Sequence, residues 1–578
     1  MARTPLFSSV RRALARALFA KKHGLSDPAE VERAWEAQKL KRRAVLQWSA
    51  AALSVAALPA MEGCDGDGTP SDPTGAKVVV IGGGMAGVHC TYRLAKAGVD
   101  VTLYEASKRV GGRMYTARDQ FADGQLCELG GELIDTGHAT LHSLATELGI
   151  ALDDRWADEP AGFKREIYYM AGVEIPEETI VEQFTPVADI MAMQVEKAET
   201  DDAYFEEIDN ISLQEWLDTH VPKDTSPELH EILRVAYRGE YGLETTEQSC
   251  LNLLYFIDWE NPEDFAIFGD SDERYHTHLG NDTFPTTLAA DLTDKIELET
   301  KLVMVKDSGD GKYLLGFEKA DGTKVEVTAD HVVFALPYTL LREVDLSGLA
   351  LSDLKSQIIN ELGYGTNAKV MTGYTSRVWK TDHNAGGAVT TDLAIQQTWE
   401  TSIGQDGASG ILTNFLGGDG GLASGDGTPE EYHQKVLPDL EEIWPGTQAA
   451  YVKDSAVRMH WPTHEFTKGS YTCYTPGQWA FYGFEGEREG NLHFIGEHTS
   501  LDFQGFMEGA AESGAFAAAE ILEELEIAPS EQLARLLDTK LGVPQPWYRG
   551  GAGRRMRLSE RRRLRRAALE LRLSGETG

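Results

Sequence analysis

One short stretch limits what this chain can fold into more than any other: Gly82-Gly83-Gly84-Met85-Ala86-Gly87, together with what flanks it. A β-branched run, Lys77 to Ile81, precedes it; a helical pattern from Met85 to Ala97 and a second strand pattern from Asp100 to Tyr104 follow. G-x-G-x-x-G between a strand and a helix marks a dinucleotide-binding βαβ unit, whereas the glycines alone would say little. Gly82 allows the tight turn, Gly84 lets backbone N–H groups approach a pyrophosphate, and Gly87 lets the helix press on the strand. The helix start adds its partial positive charge. Glu105 stands 18 residues after Gly87, where a carboxylate accepts the hydroxyls of an adenosine ribose.

Further along, Arg109-Val110-Gly111-Gly112-Arg113-Met114-Tyr115-Thr116 offers two glycines and a cation for a second pyrophosphate contact, which an NAD site does not need. This segment resembles the second glycine motif of the flavin amine oxidases, polyamine oxidases and L-amino acid oxidases. Glu128-Leu129-Gly130-Gly131-Glu132 resembles their loop near the flavin ring, and Phe494-Ile495-Gly496-Glu497-His498-Thr499 their segment at the ribityl chain. The run from Gln504 to Gly514 is similar to their last flavin helix, whose N-terminus stabilises negative charge on a reduced flavin. Ala335-Leu336-Pro337 closes a strand as in the family, and Val303 matches a valine that meets adenine through its backbone. The resemblance spans about residues 76–525. It implies FAD as cofactor, held by Gly82, Gly84, Met85, Ala86, Gly87, Glu105, Ala106, Gly111, Gly112, Arg113, Gly130, Gly131, Glu132, Val303, Gly496, Glu497, Phe506 and Met507.

For the reaction, the resemblance implies three catalytic positions. Lys369 falls on the lysine that holds a water near flavin N5, although a lysine on a strand ordinarily points to solvent. Tyr471 and Phe506 take the two walls of an aromatic cage that excludes water and aligns an amine for hydride transfer. Ser470 stands where some relatives carry a flavin-linked cysteine, which implies FAD held without a covalent bond. Many L-amino acid oxidases place an arginine just after the position of Gly130-Gly131, but here Glu132-Leu133-Ile134-Asp135 follows. A substrate carboxylate would then need another partner, such as Arg238 or Arg274, so amines without a carboxylate are favoured. Trp259, Trp399 and Glu400 are further candidates for the pocket wall. The expected activity is oxidation of an amine with O2 as acceptor and hydrogen peroxide as product. An L-amino acid oxidase and an FAD-dependent dehydrogenase or desaturase are the alternatives.

The expected fold class is α/β, with a discontinuous Rossmann-like FAD-binding domain and a mixed helical and β-sheet substrate domain. The FAD domain takes residues 76–135, 285–340 and 465–526; the substrate domain takes 136–284 and 341–464. Residues from His138 to about Asp258 have a mostly helical pattern, and Asp321-Gly322 signals a hairpin. Residues 1–63 are expected to be an export signal: Arg42-Arg43 before an apolar, Ala-rich stretch resembles a twin-arginine signal, a route that carries folded, cofactor-loaded proteins. The destination is the periplasm or envelope, with Cys64 a candidate lipid anchor. A linker, 64–75, and a C-terminal region, 527–578, complete the chain.

Charge sharpens the choice of partners. The chain carries −38, yet basic residues outnumber acidic ones in 1–63 and in 548–578, so the body between is more acidic still. Such a surface repels nucleic acid, and only the Arg-rich tail from Arg554 to Leu573 suits a membrane or acidic partner. The five cysteines lack metal or disulfide spacing, and no metal is expected. Nothing in the sequence sets an oligomeric state.

Overall fold

A five-stranded, wholly parallel sheet gathers strands from four distant parts of the chain. Its order is Leu492–Phe494, His331–Phe334, Lys77–Ile81, Asp100–Tyr104 and Ile296–Glu297. The central strand, Lys77-Val78-Val79-Val80-Ile81, is apolar without alternation because both its faces are covered, as parallel sheets require. Val78 and Val80 pack with helix Met85–Lys96 and with helix Met507–Glu524; Val79 and Ile81 face a second core that includes Leu315 and Phe317. The two helices cross closely, since a Cβ on Gly514 would stand 2.3 Å from the carbonyl oxygen of Ala86. The computed structural model describes residues 75–157, 159–160 and 162–542. The expected export signal with Arg42-Arg43, Cys64, nearly all of the linker and the Arg-rich tail lie outside the described residues.

A four-stranded sheet follows in the order Lys324–Ala329, Lys312–Lys319, Thr300–Gly309 and Asp345–Gly348, and the expected hairpin turns at Asp321-Gly322. The ladder between Thr300–Gly309 and Lys312–Lys319 slips at Val303, which is left unpaired between Leu302 and Met304. A mixed seven-stranded sheet runs Val457–His460, Ala368–Tyr374, Gly410–Leu416, Gln397–Glu400, Ala385–Thr391, Lys164–Met170 and Val173–Glu174. Helices Glu177–Thr200 and Pro227–Tyr241 belong to the large core beside it, with Leu229, Ile232, Leu233 and Ala236 fully buried on one helical face.

The stretch from His138 to Asp258 is less helical than its pattern predicts. Strands Leu152–Asp154 and Lys164–Met170 interrupt it. Ile167 and Met170 are buried three residues apart, a spacing that reads as a helix face, yet the strand pairs in parallel with Ala385–Thr391 more than two hundred residues on. That distant pairing overrides the local pattern. Among the described residues, no helix is long and apolar enough to cross a membrane.

Candidate active site

A cavity of about 1570 Å³ opens at the C-terminal edge of the parallel sheet and extends into the seven-stranded sheet. Every residue expected to bind FAD lines it except Gly87, and Lys369, Tyr471 and Phe506 line it too. Gly87 has a different duty: a Cβ there would lie 2.0 Å from the carbonyl oxygen of Gly82 and 3.0 Å from Ala335 Cβ, so its hydrogen is what lets helix and strand close. Gly82 turns with φ +103°, while a Cβ on Gly84 would meet nothing within 4 Å and project into open space. Gly84 is therefore a backbone surface free for a ligand to approach.

Polar side chains brace this turn. Glu105 accepts hydrogen bonds from the backbone N–H of Gly83 at 2.6 Å and of Ser107 at 2.7 Å. The second glycine loop leans on the first, with Gly111 N–H donating to Gly83 O at 2.8 Å. Arg109 shapes that loop from inside, donating to Gly112 O at 2.6 Å and stacking 3.7 Å over the Tyr115 ring. Arg113 reaches across the molecule to Ser470 O at 2.6 Å and Glu497 Oε1 at 2.8 Å. Glu497 in turn accepts from Gly505 N–H at 2.9 Å. Arg113 and Glu497, expected at the pyrophosphate and the ribityl chain, thus also knot the two ends of the fold together. Val303, out of the β-ladder, faces the cavity with its backbone unpaired by a neighbouring strand.

At the other end, the strand Ala368–Tyr374 is buried along its whole length, so Lys369 does not point to solvent. Its ammonium donates to Glu132 Oε2 at 2.7 Å, Gly130 O at 2.8 Å and Glu128 O at 3.3 Å, and lies 5.2 Å from the Trp399 ring centroid. All three of its donors are engaged, so the expected water would have to replace the long contact to Glu128. Burial pushes the Glu132 carboxyl up, but the Lys369 ammonium and hydrogen bonds from Lys369 and Thr401 outweigh it and hold the group below the usual range. Lys369 and Glu132 form one buried ion pair rather than a lone cation. Tyr471 is hemmed in, and burial drives its hydroxyl well above the ordinary range, so it stays neutral. Phe506 caps helix Met507–Glu524 and packs edge-on against His138, with ring centroids 5.4 Å apart.

Beyond the cage the wall is aromatic and acidic. Tyr168, Phe256 and Phe265 stand among Glu166, Glu240 and Glu273. Glu273 has φ +46°, rare for a side-chain-bearing residue, and burial with the neighbouring Asp135 raises its carboxyl to about 8. Glu166 is also raised by burial, against hydrogen bonds from Thr390 and Tyr168. Arg238 and Arg274, the expected partners for a substrate carboxylate, do not line the cavity; Arg274 is paired with Asp154 at 2.6 Å. Trp259 is absent from the wall too, while Trp399 and Glu400 are on it. Three other arginines line this region: Arg165, paired with Glu159, Arg377, paired with Glu400, and Arg155, which donates to Glu273 O at 2.9 Å and Glu400 O at 3.3 Å. Neither Arg155 nor the three glutamates carry a motif, so no sequence signal singles them out.

Comparison with known proteins agrees with this geometry. The family model described as flavin containing amine oxidoreductase matches residues 85–522. An L-amino-acid oxidase of Siganus canaliculatus is 26% identical over 479 residues, covering 79% of this chain and 87% of that protein. Flavin-containing amine oxidase B of Sus scrofa is 25% identical, covering 81% and 90%. Among solved structures, the cyclohexylamine oxidase of Brevibacterium oxydans IH-35A has a TM-score of 0.68 at 22% identity, covering 78% of this chain and 99% of that one.

Proposed function

Because the chain belongs to the flavin containing amine oxidoreductase family, we propose that it oxidises the carbon–nitrogen bond of a small amine with bound FAD and O2. The observation that carries this reading is the single cavity joining the glycine turn to Lys369, Tyr471 and Phe506. Its residues fit FAD: open backbone at Gly84, a carboxylate at Glu105 and an unpaired strand backbone at Val303 lie along one wall. When bound, FAD supplies a hydride acceptor and passes the electrons on to O2, giving hydrogen peroxide. The protein's part is to bind, orient and dry the substrate. Tyr471 and Phe506 flank the amine and exclude water, and the imine product is released to hydrolysis. Lys369, anchored by Glu132, positions polar groups beside the reacting atoms.

Glu240 on the wall supports an amine over an amino acid, because an acidic group there attracts a cation and repels a carboxylate, while Glu166 and Glu273, whose carboxyls are raised, contribute less charge. Arg155 supports the second reading, an L-amino acid oxidase, since its guanidinium could hold a carboxylate. Oxygen uptake and peroxide formation by purified holoprotein, screened over amines, polyamines and L-amino acids, test both. The expected result is a higher kcat/KM for amines without a carboxylate; a large advantage for the amino acids moves the assignment to the second reading. Reduced flavin that persists in air would instead indicate a dehydrogenase.

Non-covalent FAD is part of the proposal. Ser470 hydrogen-bonds Asn367 Oδ1 at 2.6 Å, and Cys473 is buried away from the cavity wall. Acid precipitation should leave yellow FAD in the supernatant. Export by the twin-arginine route is proposed from Arg42-Arg43; changing both to lysine should empty the envelope fraction, and an unchanged fraction would refute it.

A further inference from the structure

We infer that His331, His493 and Glu524 form a binding site for one divalent transition metal of the zinc class, on the edge of the parallel sheet opposite the cavity. None of the three lines the cavity. His331 opens its strand and His493 lies on the neighbouring strand, directly beside Val333. Residues two apart on a strand share a face, so both imidazoles point to the side covered by helix Met507–Glu524. Glu524 stands in the last turn of that helix.

The spacing suits a shared metal ion as well as a shared proton. His331 Nδ1 and His493 Nε2 are 3.3 Å apart, a long hydrogen bond between two ring nitrogens. Two nitrogens at about 2.0–2.1 Å from a tetrahedral metal are separated by about 3.3–3.4 Å. Glu524 Oε2 lies 3.8 Å from His331 Nδ1, and the three ligand atoms all fall within 4.8 Å of one another. Glu524 keeps 28% of its side-chain surface exposed, so a small rotation brings its oxygen in and leaves a solvent path for the ion.

Outer partners are already in place. His493 Nδ1 is 3.1 Å from Glu520 Oε2, the carboxylate–histidine arrangement that fixes the ring and turns the other nitrogen's lone pair toward a metal. Arg488 pairs with both Glu520, at 3.3 Å, and Glu524. Two carboxylates against one guanidinium leave a net negative charge, which favours a dication. Two imidazoles and one carboxylate select Zn2+, Co2+ or Ni2+ over Mg2+ or Ca2+. The ion would staple the edge strand, which runs straight into Gly496-Glu497, to its neighbour and to helix Met507–Glu524.

The test uses full-length holoprotein stripped with a chelator and titrated with Zn2+ and, separately, Co2+. One equivalent should bind, cobalt should give the d–d bands of a four-coordinate site, and the melting temperature should rise with metal concentration. His493→Gln should abolish stoichiometric binding, and Glu520→Gln should weaken it about 10–100-fold. Should His493→Gln fail to fold, Glu524→Gln on the helix surface removes a ligand with little packing change. Binding of less than one equivalent, or binding that survives both His493→Gln and Glu524→Gln, overturns the assignment.

Discussion

The two ends of the cavity are built in opposite ways. At the nucleotide end, one six-residue turn from Gly82 to Gly87 sets the wall through Gly82, Gly84, Met85 and Ala86, and its neighbours only brace it. At the reaction end, Glu132, Lys369, Thr401, Tyr471 and Phe506 come from five separate segments: Lys369 and Thr401 both hold Glu132, Tyr471 reaches Gly239 O and Phe506 packs on His138. The first end depends on backbone that cannot tolerate a side chain. The second depends on charges and rings that must be kept together by the rest of the fold, and it should fail in a more graded way.

The largest effect that this contrast predicts is at Gly87. Valine there would put Cβ against backbone oxygen with no flexible neighbour to yield, costing about 4 kcal/mol or more. The expected product is insoluble or flavin-free protein, seen as loss of the flavin absorbance; a stable, yellow Gly87→Val protein breaks the comparison. At Lys369 the damage should be intermediate. Lys369→Met strands the buried Glu132 carboxylate, a loss of about 3–5 kcal/mol in stability. Because Glu132 already offsets the lysine's charge, reoxidation by O2 should slow only by the lower part of the 10²–10³ range expected for one electrostatic donor. Stopped-flow reoxidation and thermal melts measure the two, and Lys369→Met with Glu132→Gln should recover much of the stability.

A smaller effect belongs to Glu273. Its carboxyl ionises near 8 in the folded chain against 4.5 unperturbed, so across that window the folded protein keeps a proton that the unfolded chain has released. Stability must then fall as pH rises through the window. Glu273→Gln should flatten that slope in melts recorded between pH 5 and 9; an unchanged slope would place the effect elsewhere. The smallest effect should come from Tyr471→Phe. The hydroxyl's contact with Gly239 O is long, at 3.4 Å, so its loss should cost under about 1 kcal/mol in kcat/KM. A larger loss would mean that the cage works through the hydroxyl as well as the ring.

The sequence by itself determined the glycine turn with its flanking strand and helix, the hairpin at Asp321-Gly322, and the segments at Gly496-Glu497 and Phe506-Met507. These are legible because a backbone that needs positive φ or close approach admits only glycine, and because helices and hairpins repeat at fixed short spacings. Only the tertiary structure decided that Lys369 is paired with Glu132, that Arg155, Arg165 and Arg377 rather than Arg238 or Arg274 reach this part of the cavity, and that Lys164–Met170 is a strand. It also decided that His331, His493 and Glu524 meet. Those outcomes hang on strand register and helix crossing between segments up to hundreds of residues apart. A charged side chain carries no local mark of the partner that such packing will bring to it.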